Sequence, residues 1–319
     1  MKQAIGVDVG GTRVRGGLVR EDGSVELVDA VATEPERGAD QVLHTISHVI
    51  ERCAYRLEEA VRVGVALPGV SDETFQRLEH VANLACLEGV AIGEELFDRT
   101  GLGVTVLPDI HAAGLAEYRF GAGRGAQRLI VGCIGTGVGA AVMHDGKFFR
   151  HTRGIAGSLG HLVIDPDGEP CACGGRGCIE TKAAASALRR AVGRHMGQDW
   201  LNEHAPDRDP KAVWAAIVGA LGRNEPGLVQ AAQEVGWWLG VGIASWAAVY
   251  KPDRVVLAGG LANLGDVWLA SVRQGLRHVS PDFYHAAMEI RLGECLETGG
   301  VLGAGLAALE DQAVRDAGA

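Results

Sequence analysis

Three cysteines and a histidine lie close together near the middle of the chain, with a spacing typical of a metal site. His161 is followed by Cys171, Cys173 and Cys178. Three thiolates and one imidazole form the tetrahedral ligand set of a structural zinc site, which leaves no coordination position open for water or substrate. The cluster therefore predicts a structural Zn²⁺ ion. A zinc-thiol redox or storage protein is the alternative, and it does not explain the turns described next.

Two turns rich in small residues each follow an apolar stretch. The first comprises Gly10, Gly11 and Thr12 after Asp8, and the second comprises Gly135, Thr136 and Gly137. Small residues allow backbone N–H groups to approach a phosphate, and a carboxylate such as Asp8 can hold a cation through water. Neither turn is a P-loop, because no Gly-Lys-Ser/Thr follows. Alone, the first turn could be an ordinary hairpin turn, but the pair predicts binding of a polyphosphate.

Two carboxylates lie at the starts of helical patterns. Asp109 follows the apolar stretch VTVL, and Glu180 follows Cys178 by two residues. An aspartate such as Asp109 is often a helix N-cap, but near bound phosphates it could accept the proton of an alcohol that attacks a phosphoryl group. Glu180 either interacts with the helix dipole or reaches into a cleft. His111 is assigned a structural role.

The elements that position these residues follow a pattern that occurs twice. The first 70 residues predict three strands, a helix and a strand, at 5–10, 14–19, 25–31, 40–60 and 61–69. Asp22-Gly23 predicts a hairpin between the second and third strands. Residues 129–151 again show a strand, a Gly-Thr-Gly turn, a strand, an Asp-Gly hairpin and a strand. The repetition predicts an α/β fold of duplicated βββα units with a cleft between the halves.

The rest of the chain has mainly helical periodicity. Residues 180–250 predict helices with an interruption near 197–210, and 235–250 predict a buried helix. A strand at 254–260 ends in Gly259-Gly260, and a final helix is predicted over 300–317.

Composition excludes some classes of protein. The 319 residues are 47% hydrophobic and 22% charged, which excludes a disordered chain. A net charge of −10 argues against non-specific nucleic-acid binding. The chain does not begin like a signal peptide, and its longest apolar stretch is too short to span a bilayer, so a cytoplasmic location without membrane contact is expected. The isolated Cys53, Cys86, Cys133 and Cys295 are expected to be small buried hydrophobic residues.

Together these motifs resemble the ROK family of bacterial sugar kinases and related repressors. DVGGTRVRGG, the Asp109 segment, GTGVG, GH…CxCGxxGCxE and VVLAGG occur in the order and spacing of that family. The resemblance covers essentially the whole chain, and the histidine with its three cysteines is the most specific part. It implies an actin-like or hexokinase-like (ASKHA) pair of domains with an interdomain cleft that closes over ATP and a hexose.

The family pattern also implies a role for particular residues. Asp8, Gly10, Gly11 and Thr12 would lie at the ATP phosphates and Mg²⁺, with Gly135, Thr136 and Gly137 as the second phosphate loop and Gly259 and Gly260 beside the adenosine. Asp109 would be the general base for the sugar 6-hydroxyl. Gly69, Asn83, His161 and Glu180 would contact the sugar, and His161 would bind zinc through its other ring nitrogen.

The same resemblance implies two domains and an assembly. The smaller α/β domain would comprise 1–112 with 301–319, and would carry the first phosphate turn and Asp109. The larger would comprise 113–300, with the second phosphate loop, the zinc cluster and the Gly-Gly pair. A sugar and a nucleotide are the expected partners, nucleic acid is not, and a homodimer or higher homo-oligomer is expected. The repressors carry an N-terminal helix-turn-helix, whereas this chain opens directly on IGVDVGG.

Four positions depart from the family's sugar kinases. Pro108 replaces the usual Asn before the catalytic Asp, and Ser158 replaces the usual Glu of Glu-x-Gly-His. The Ala-Asn that usually follows the Asp is Ile110-His111 here. The expected function is an ATP-dependent kinase for the 6-hydroxyl of a hexose or hexose derivative, with glucose itself not assigned. The alternative is a catalytically weak or inactive sugar-binding or sensing member of the same fold.

Overall fold

The structure is a computed structural model that describes residues 2–57, 61–71, 78–81, 83–151, 154–155, 158–204, 210–295 and 297–317. The chain forms two compact units. Unit 1 comprises Met1–Gly125, Ala141–Ala156 and Cys295–Ala319, and unit 2 comprises Ala126–Ala140 and Gly157–Glu294. The domain boundaries expected from the sequence, 1–112 with 301–319 and 113–300, stay a prediction.

The strands of the described residues fall into two five-stranded sheets and two short two-stranded sheets. In chain order they are β1 (Gln3–Val9), β2 (Arg13–Arg20), β3 (Val25–Ala32), β4 (Val63–Leu67), β5 (Val70–Ser71), β6 (Leu78–His80), β7 (Val104–Pro108), β8 (Arg128–Ile134), β9 (Val138–His144), β10 (Lys147–Phe148), β11 (Arg150–His151), β12 (Gly154–Ile155), β13 (Arg254–Ala258) and β14 (Glu289–Leu292).

The helices are, in chain order, α1 (Ala39–Ala54), α2 (Ile92–Thr100), α3 (Asp109–Phe120), α4 (Ile179–Ala183), α5 (Ala185–Met196), α6 (Gln198–His204), α7 (Pro210–Gly222), α8 (Pro226–Tyr250), α9 (Gly265–Val279), α10 (Asp282–His285) and α11 (Gly299–Ala317). Helix α8 buries a face of Val, Leu, Ile and Trp side chains along most of its length. Within the described part of the chain, no helix combines the length and apolarity that crossing a membrane would require.

The two larger sheets share one strand order, which confirms the predicted duplication. The first sheet has the order β3-β2-β1-β4-β7 and the second β10-β9-β8-β13-β14. In each sheet, a meander of three strands is extended by two further strands that run parallel to the first strand of the meander. The predicted hairpin turns are present, with Gly23 at φ 85° in the first and Asp145 and Gly146 at φ 49° and 76° in the second.

Helix α11 lies very close to the first sheet because two strand positions lack a side chain. A Cβ atom on Gly64 of β4 would lie 1.8 Å from the carbonyl oxygen of Ala304, and one on Gly6 of β1 would lie 2.0 Å from that of Val301. Any larger residue at either position would therefore push the helix away from the sheet.

Some local predictions from the sequence were wrong. The first helix ends at Ala54 and does not continue to residue 60; residues 58–60 lie outside the described residues. The interruption predicted near 197–210 is present at Gly197, which has φ 88° and follows the end of α5, but residues 198–204 form α6; residues 205–209 lie outside the described residues. Cys53 is buried as expected, but Cys86, Cys133 and Cys295 are only partly buried. Cys86 lies in a short 3-10 turn, Cys133 next to the last residue of β8 and Cys295 in the segment before α11.

A buried carboxylate on α3 holds two loop segments of unit 1. The side chain of Glu117 is 1% exposed. Its Oε1 atom accepts the backbone N–H of Cys295 at 2.7 Å, and its Oε2 atom accepts that of Ala122 at 2.9 Å. Because this charge is removed from water, its hydrogen bonds are needed to offset the desolvation.

We expect Glu117→Ala to lower the free energy of unfolding by about 2–4 kcal/mol, since two hydrogen bonds to a buried carboxylate are lost. Glu117→Gln keeps an acceptor for one of the two N–H groups and should lose less. Urea denaturation measures both changes, with Glu94→Ala at an exposed position of α2 as the control. A Glu117→Ala variant as stable as the control would contradict this role.

Candidate active site

The predicted phosphate and sugar residues of unit 1 lie at one edge of its sheet. Strands β1, β4 and β7 run parallel, so their carboxyl ends meet there. Asp8 lies near the end of β1, Gly69 follows β4 and Asp109 follows β7. Gly69 has φ 115°, a conformation that favours glycine. This edge therefore brings two carboxylates together with a turn that only a small residue adopts easily.

The Gly10–Thr12 turn is fixed by neighbouring backbone and contacts Asn83. The N–H of Gly10 donates to the carbonyl of Arg13 at 2.9 Å, and Thr33 Oγ1 donates to the carbonyl of Gly10 at 2.6 Å. A Cβ atom on Gly11 would lie 3.0 Å from that of Asn83, whose side chain is exposed. The structure thus places a predicted phosphate residue next to a predicted sugar residue.

Asp109 is the first residue of α3, so the N-cap interpretation is wrong. Pro108 occupies the N-cap position, because its extended backbone ends β7 directly before the helix. Asp109 Oδ1 accepts the N–H of the next residue, Ile110, at 2.7 Å. Burial raises the pKa of Asp109 to about 7; the Ile110 hydrogen bond opposes this shift, and the negative charge of Asp8 adds to it. A carboxyl group with such a pKa can take up and release a proton near neutral pH.

This raised pKa predicts a pH dependence of stability. The folded protein binds the Asp109 proton more tightly than the unfolded chain, whose carboxyl titrates near 3.8. Between these pKa values the folded state binds more protons, so the free energy of unfolding falls as pH rises from about 4 to about 7. Asp109→Asn removes this titration, so its stability relative to wild type should increase over that range and level off above it. Urea denaturation from pH 5 to pH 8 measures the difference; a constant difference would contradict the shift.

Arg15 is a residue of this site that the sequence reasoning missed. Its Nη2 atom lies 2.6 Å from Asp8 Oδ2, and its Nη1 atom donates to the carbonyl of Glu297 at 3.0 Å. Asp8 also lies beside Gly300 in the first turn of α11, where the helix dipole favours a negative charge. The register of the first two strands could have indicated this contact, because Asp8 and Arg15 lie directly opposite each other in the antiparallel pair β1–β2.

His111 lies on α3 and is buried, with its ring 4.8 Å from that of Phe148. This packing agrees with the structural role predicted for it.

The four predicted metal ligands of unit 2 come together. The ligand atoms of His161, Cys171, Cys173 and Cys178 all lie within 4.8 Å of one another. Cys173 Sγ lies 3.7 Å from Cys178 Sγ, and Cys171 Sγ lies 3.6 Å from His161 Nδ1. A Zn²⁺ ion with Zn–S bonds of about 2.3 Å requires ligand separations of roughly 3.8 Å. The cluster therefore fits a tetrahedral zinc ion, with Nδ1 as the histidine ligand.

The second turn and the Gly-Gly pair lie side by side in unit 2. They follow β8 and β13, which are parallel neighbours with Ala258 opposite Cys133. Gly259 has φ 87°, and a Cβ atom there would lie 2.5 Å from the carbonyl oxygen of Ile134. The Gly135 N–H donates to the carbonyl of Gly137 at 2.9 Å, which closes the turn. The residues predicted for phosphate and adenosine thus share one sheet edge.

Glu180 lies in the first turn of α4, between the second turn and the cysteine cluster. Its Oε2 atom accepts the N–H of Val138 at 2.9 Å, and its Oε1 atom lies 3.7 Å from Cys171 Sγ. Ser158 and His161 are the ends of a short 3-10 turn, and Ser158 is exposed. Of the two residues that were predicted to contact sugar in this unit, His161 is part of the cluster and Glu180 adjoins it.

The paired sheets and their helices match solved structures of the actin-like (ASKHA) fold. A ROK family glucokinase from Streptomyces griseus, crystallised with glucose and AMPPNP, gives a TM-score of 0.84 at 27% identity over 97% of this chain and 100% of that chain. A ROK family transcriptional regulator, a homolog of the E. coli MLC protein, gives 0.83 at 25% identity over 98% of this chain and 78% of that one.

The chain belongs to the ROK family, whose model matches residues 4–311. A glucokinase of Thermotoga maritima is 31% identical over 303 residues, which are 94% of this chain and 95% of that protein. The resemblance inferred from the motifs is therefore confirmed.

Proposed function

We propose that the protein is an ATP-dependent sugar kinase that phosphorylates the 6-hydroxyl group of a hexose or hexose derivative. The observation that carries this proposal is the position and pKa of Asp109, at a sheet edge with Asp8 and the Gly10–Thr12 turn. Its relatives include glucokinases, and one of them binds glucose and an ATP analogue. A general base of pKa about 7 suits the removal of a proton from an alcohol at neutral pH.

In the proposed reaction, Asp109 accepts the proton of the sugar 6-hydroxyl as its oxygen attacks the terminal phosphorus of ATP. A new O–P bond forms, the bond from that phosphorus to ADP breaks, and the proton passes from Asp109 to solvent. Asp8 would hold Mg²⁺ through water, and the bound ion would neutralise charge on the phosphates. Arg15 keeps the Asp8 carboxylate in place through its 2.6 Å ion pair.

The nucleotide is assigned to the two turns and the Gly-Gly pair. The turns of Gly10, Gly11 and Thr12 and of Gly135, Thr136 and Gly137 would bind the phosphates, as small-residue turns do for anions. The N–H groups of Gly10 and Gly135 close the turns, so those of Gly11, Thr12, Thr136 and Gly137 would face the phosphates. Gly259 and Gly260 would lie against the adenosine, where the absence of side chains lets a flat base approach the backbone.

The sugar is assigned to Gly69, Asn83, His161 and Glu180, along with Asp109. His161 points Nδ1 at the cluster, which leaves Nε2 for a sugar hydroxyl. Pro108 has no side-chain donor or acceptor, and Ser158 is shorter than the usual glutamate. Each hydrogen bond missing from a buried hydroxyl costs about 1–3 kcal/mol. We therefore propose that glucose binds more weakly here than to family members that have Asn and Glu.

The decisive experiment incubates purified protein and Mg-ATP with a panel of hexoses and amino sugars and follows ADP release and the 6-phosphate product. Transfer to at least one member supports the proposal. Failure with every member, under conditions in which the nucleotide binds, would refute it.

A sugar-binding protein without turnover is the second candidate. The changes at Pro108 and Ser158 and the likeness to a transcriptional regulator favour it. Calorimetry separates the two candidates, because a sensor of this kind would bind sugar but not nucleotide.

A further inference from the structure

The second turn of unit 2 is held by a small set of contacts from the segment that carries the cysteine cluster. The Val138 N–H donates to Glu180 Oε2 at 2.9 Å, and the Ala185 N–H donates to the carbonyl of Gly135 at 2.8 Å. Gly160 lies against the same turn, since a Cβ atom there would lie 1.9 Å from the carbonyl oxygen of Val138. Residues 135–138 are thus fixed at both ends.

Two of these contacts come from residues close to a metal ligand. Gly160 precedes His161, and Glu180 follows Cys178 by two residues on α4. Glu180 also lies within 3.7 Å of Cys171 through its other carboxylate oxygen. The carboxylate therefore spans the space between a cluster ligand and the turn, with one oxygen directed to each.

The fit between Glu180 and the turn is tight. A Cβ atom on Gly137 would lie 2.6 Å from Glu180 Oε2, so a larger residue there would displace this carboxylate from the turn. Glu180 is half-buried, and a charge-assisted hydrogen bond away from bulk water is stronger than a neutral one. A shift of α4 would therefore move the Val138 N–H and, with it, the backbone N–H groups of the turn that are proposed to bind phosphates.

We propose that Glu180 is a positioning residue that makes the affinity for nucleotide depend on the metal ion held by His161 and the three cysteines. The ion would fix His161, Cys171 and Cys178, these ligands would fix the start of α4, and Glu180 would then hold the turn in the shape that binds phosphates. This inference rests on the proposed nucleotide role of the Gly135–Gly137 turn. This role differs from a sugar contact. A residue that acted only on the sugar would leave nucleotide binding unchanged when no sugar is present.

The test is titration calorimetry of Mg-AMPPNP, without sugar, into metal-loaded protein. We expect Glu180→Ala to weaken nucleotide binding by about tenfold or more, as lost charge-assisted hydrogen bonds do. Glu180→Gln retains an acceptor and should stay within about threefold of wild type. Glu169→Ala, which removes an exposed carboxylate from the same segment, is the matched control. Zinc content and the urea midpoint show that each variant is folded and loaded.

A second arm removes zinc from wild type and from Glu180→Ala with a chelator. Removal should weaken nucleotide binding in wild type by a similar factor and add little in the variant, because both changes act through one contact. Unchanged nucleotide affinity in metal-free wild type and in Glu180→Ala, with sugar affinity lost, would overturn the inference and leave the proposed kinase intact. No nucleotide binding by metal-loaded wild type would instead overturn the proposed function, and the inference with it.

Discussion

Replacing Asp109 by asparagine is expected to lower kcat by about 10²–10⁴-fold, the usual contribution of a general base. Asparagine has nearly the same shape, and its side-chain oxygen can still accept the Ile110 N–H, so the start of α3 should be preserved. It cannot accept the hydroxyl proton. The affinities for sugar and nucleotide should stay within about threefold of wild type, since the lost interaction belongs to the transition state.

Steady-state kinetics on the preferred sugar measure this change, and calorimetry measures the two affinities. Asp98→Asn on the exposed side of α2 is the matched control and should keep full activity. The wild-type rate should rise with pH and level off above about 7, as the Asp109 carboxyl with its raised pKa loses its proton. The variant should lack that rise. Retained turnover in Asp109→Asn would refute the general-base role.

The duplicated fold could be predicted from sequence because its signals are local. Each Asp-Gly pair favours a hairpin by its own backbone preferences, and each strand shows its apolar run. The shared order of the two sheets then follows from repeating one unit. The ligand cluster that fits zinc could be predicted equally well, since Cys171, Cys173 and Cys178 lie within one short segment and His161 just before it.

Contacts between distant segments could not be read in the same way. Glu117 reaches Cys295 across 178 positions, and Glu180 reaches Val138 across 42. Nothing in the residue types at these positions specifies a backbone N–H as the partner. The N-cap prediction for Asp109 was wrong for a related reason, because the extended backbone of Pro108 lets the proline fill that position. Only the placement of β7 beside β4 shows where the carboxylate lies.

Removing one ligand of the cluster is also expected to have a large effect, on both zinc binding and stability. Cys173→Ser should lose most of the bound zinc, because a neutral hydroxyl is a poor substitute for a thiolate. Zinc binding to such sites also supplies folding free energy, so the urea midpoint should fall. Cys173 is exposed, so its replacement removes a ligand without opening a cavity in the core.

Elemental analysis measures the zinc, and calorimetry measures sugar binding in the same samples. Cys86→Ser is the control, since Cys86 is partly buried in unit 1 and outside the cluster. Sugar affinity should fall in Cys173→Ser because His161 loses the ion that orients its ring and leaves Nε2 free to bind. Full sugar affinity in zinc-free protein would show that the cluster only stabilises its own segment. Reduced affinity that returns when zinc is added back to zinc-depleted wild type would show that the ion shapes the substrate site.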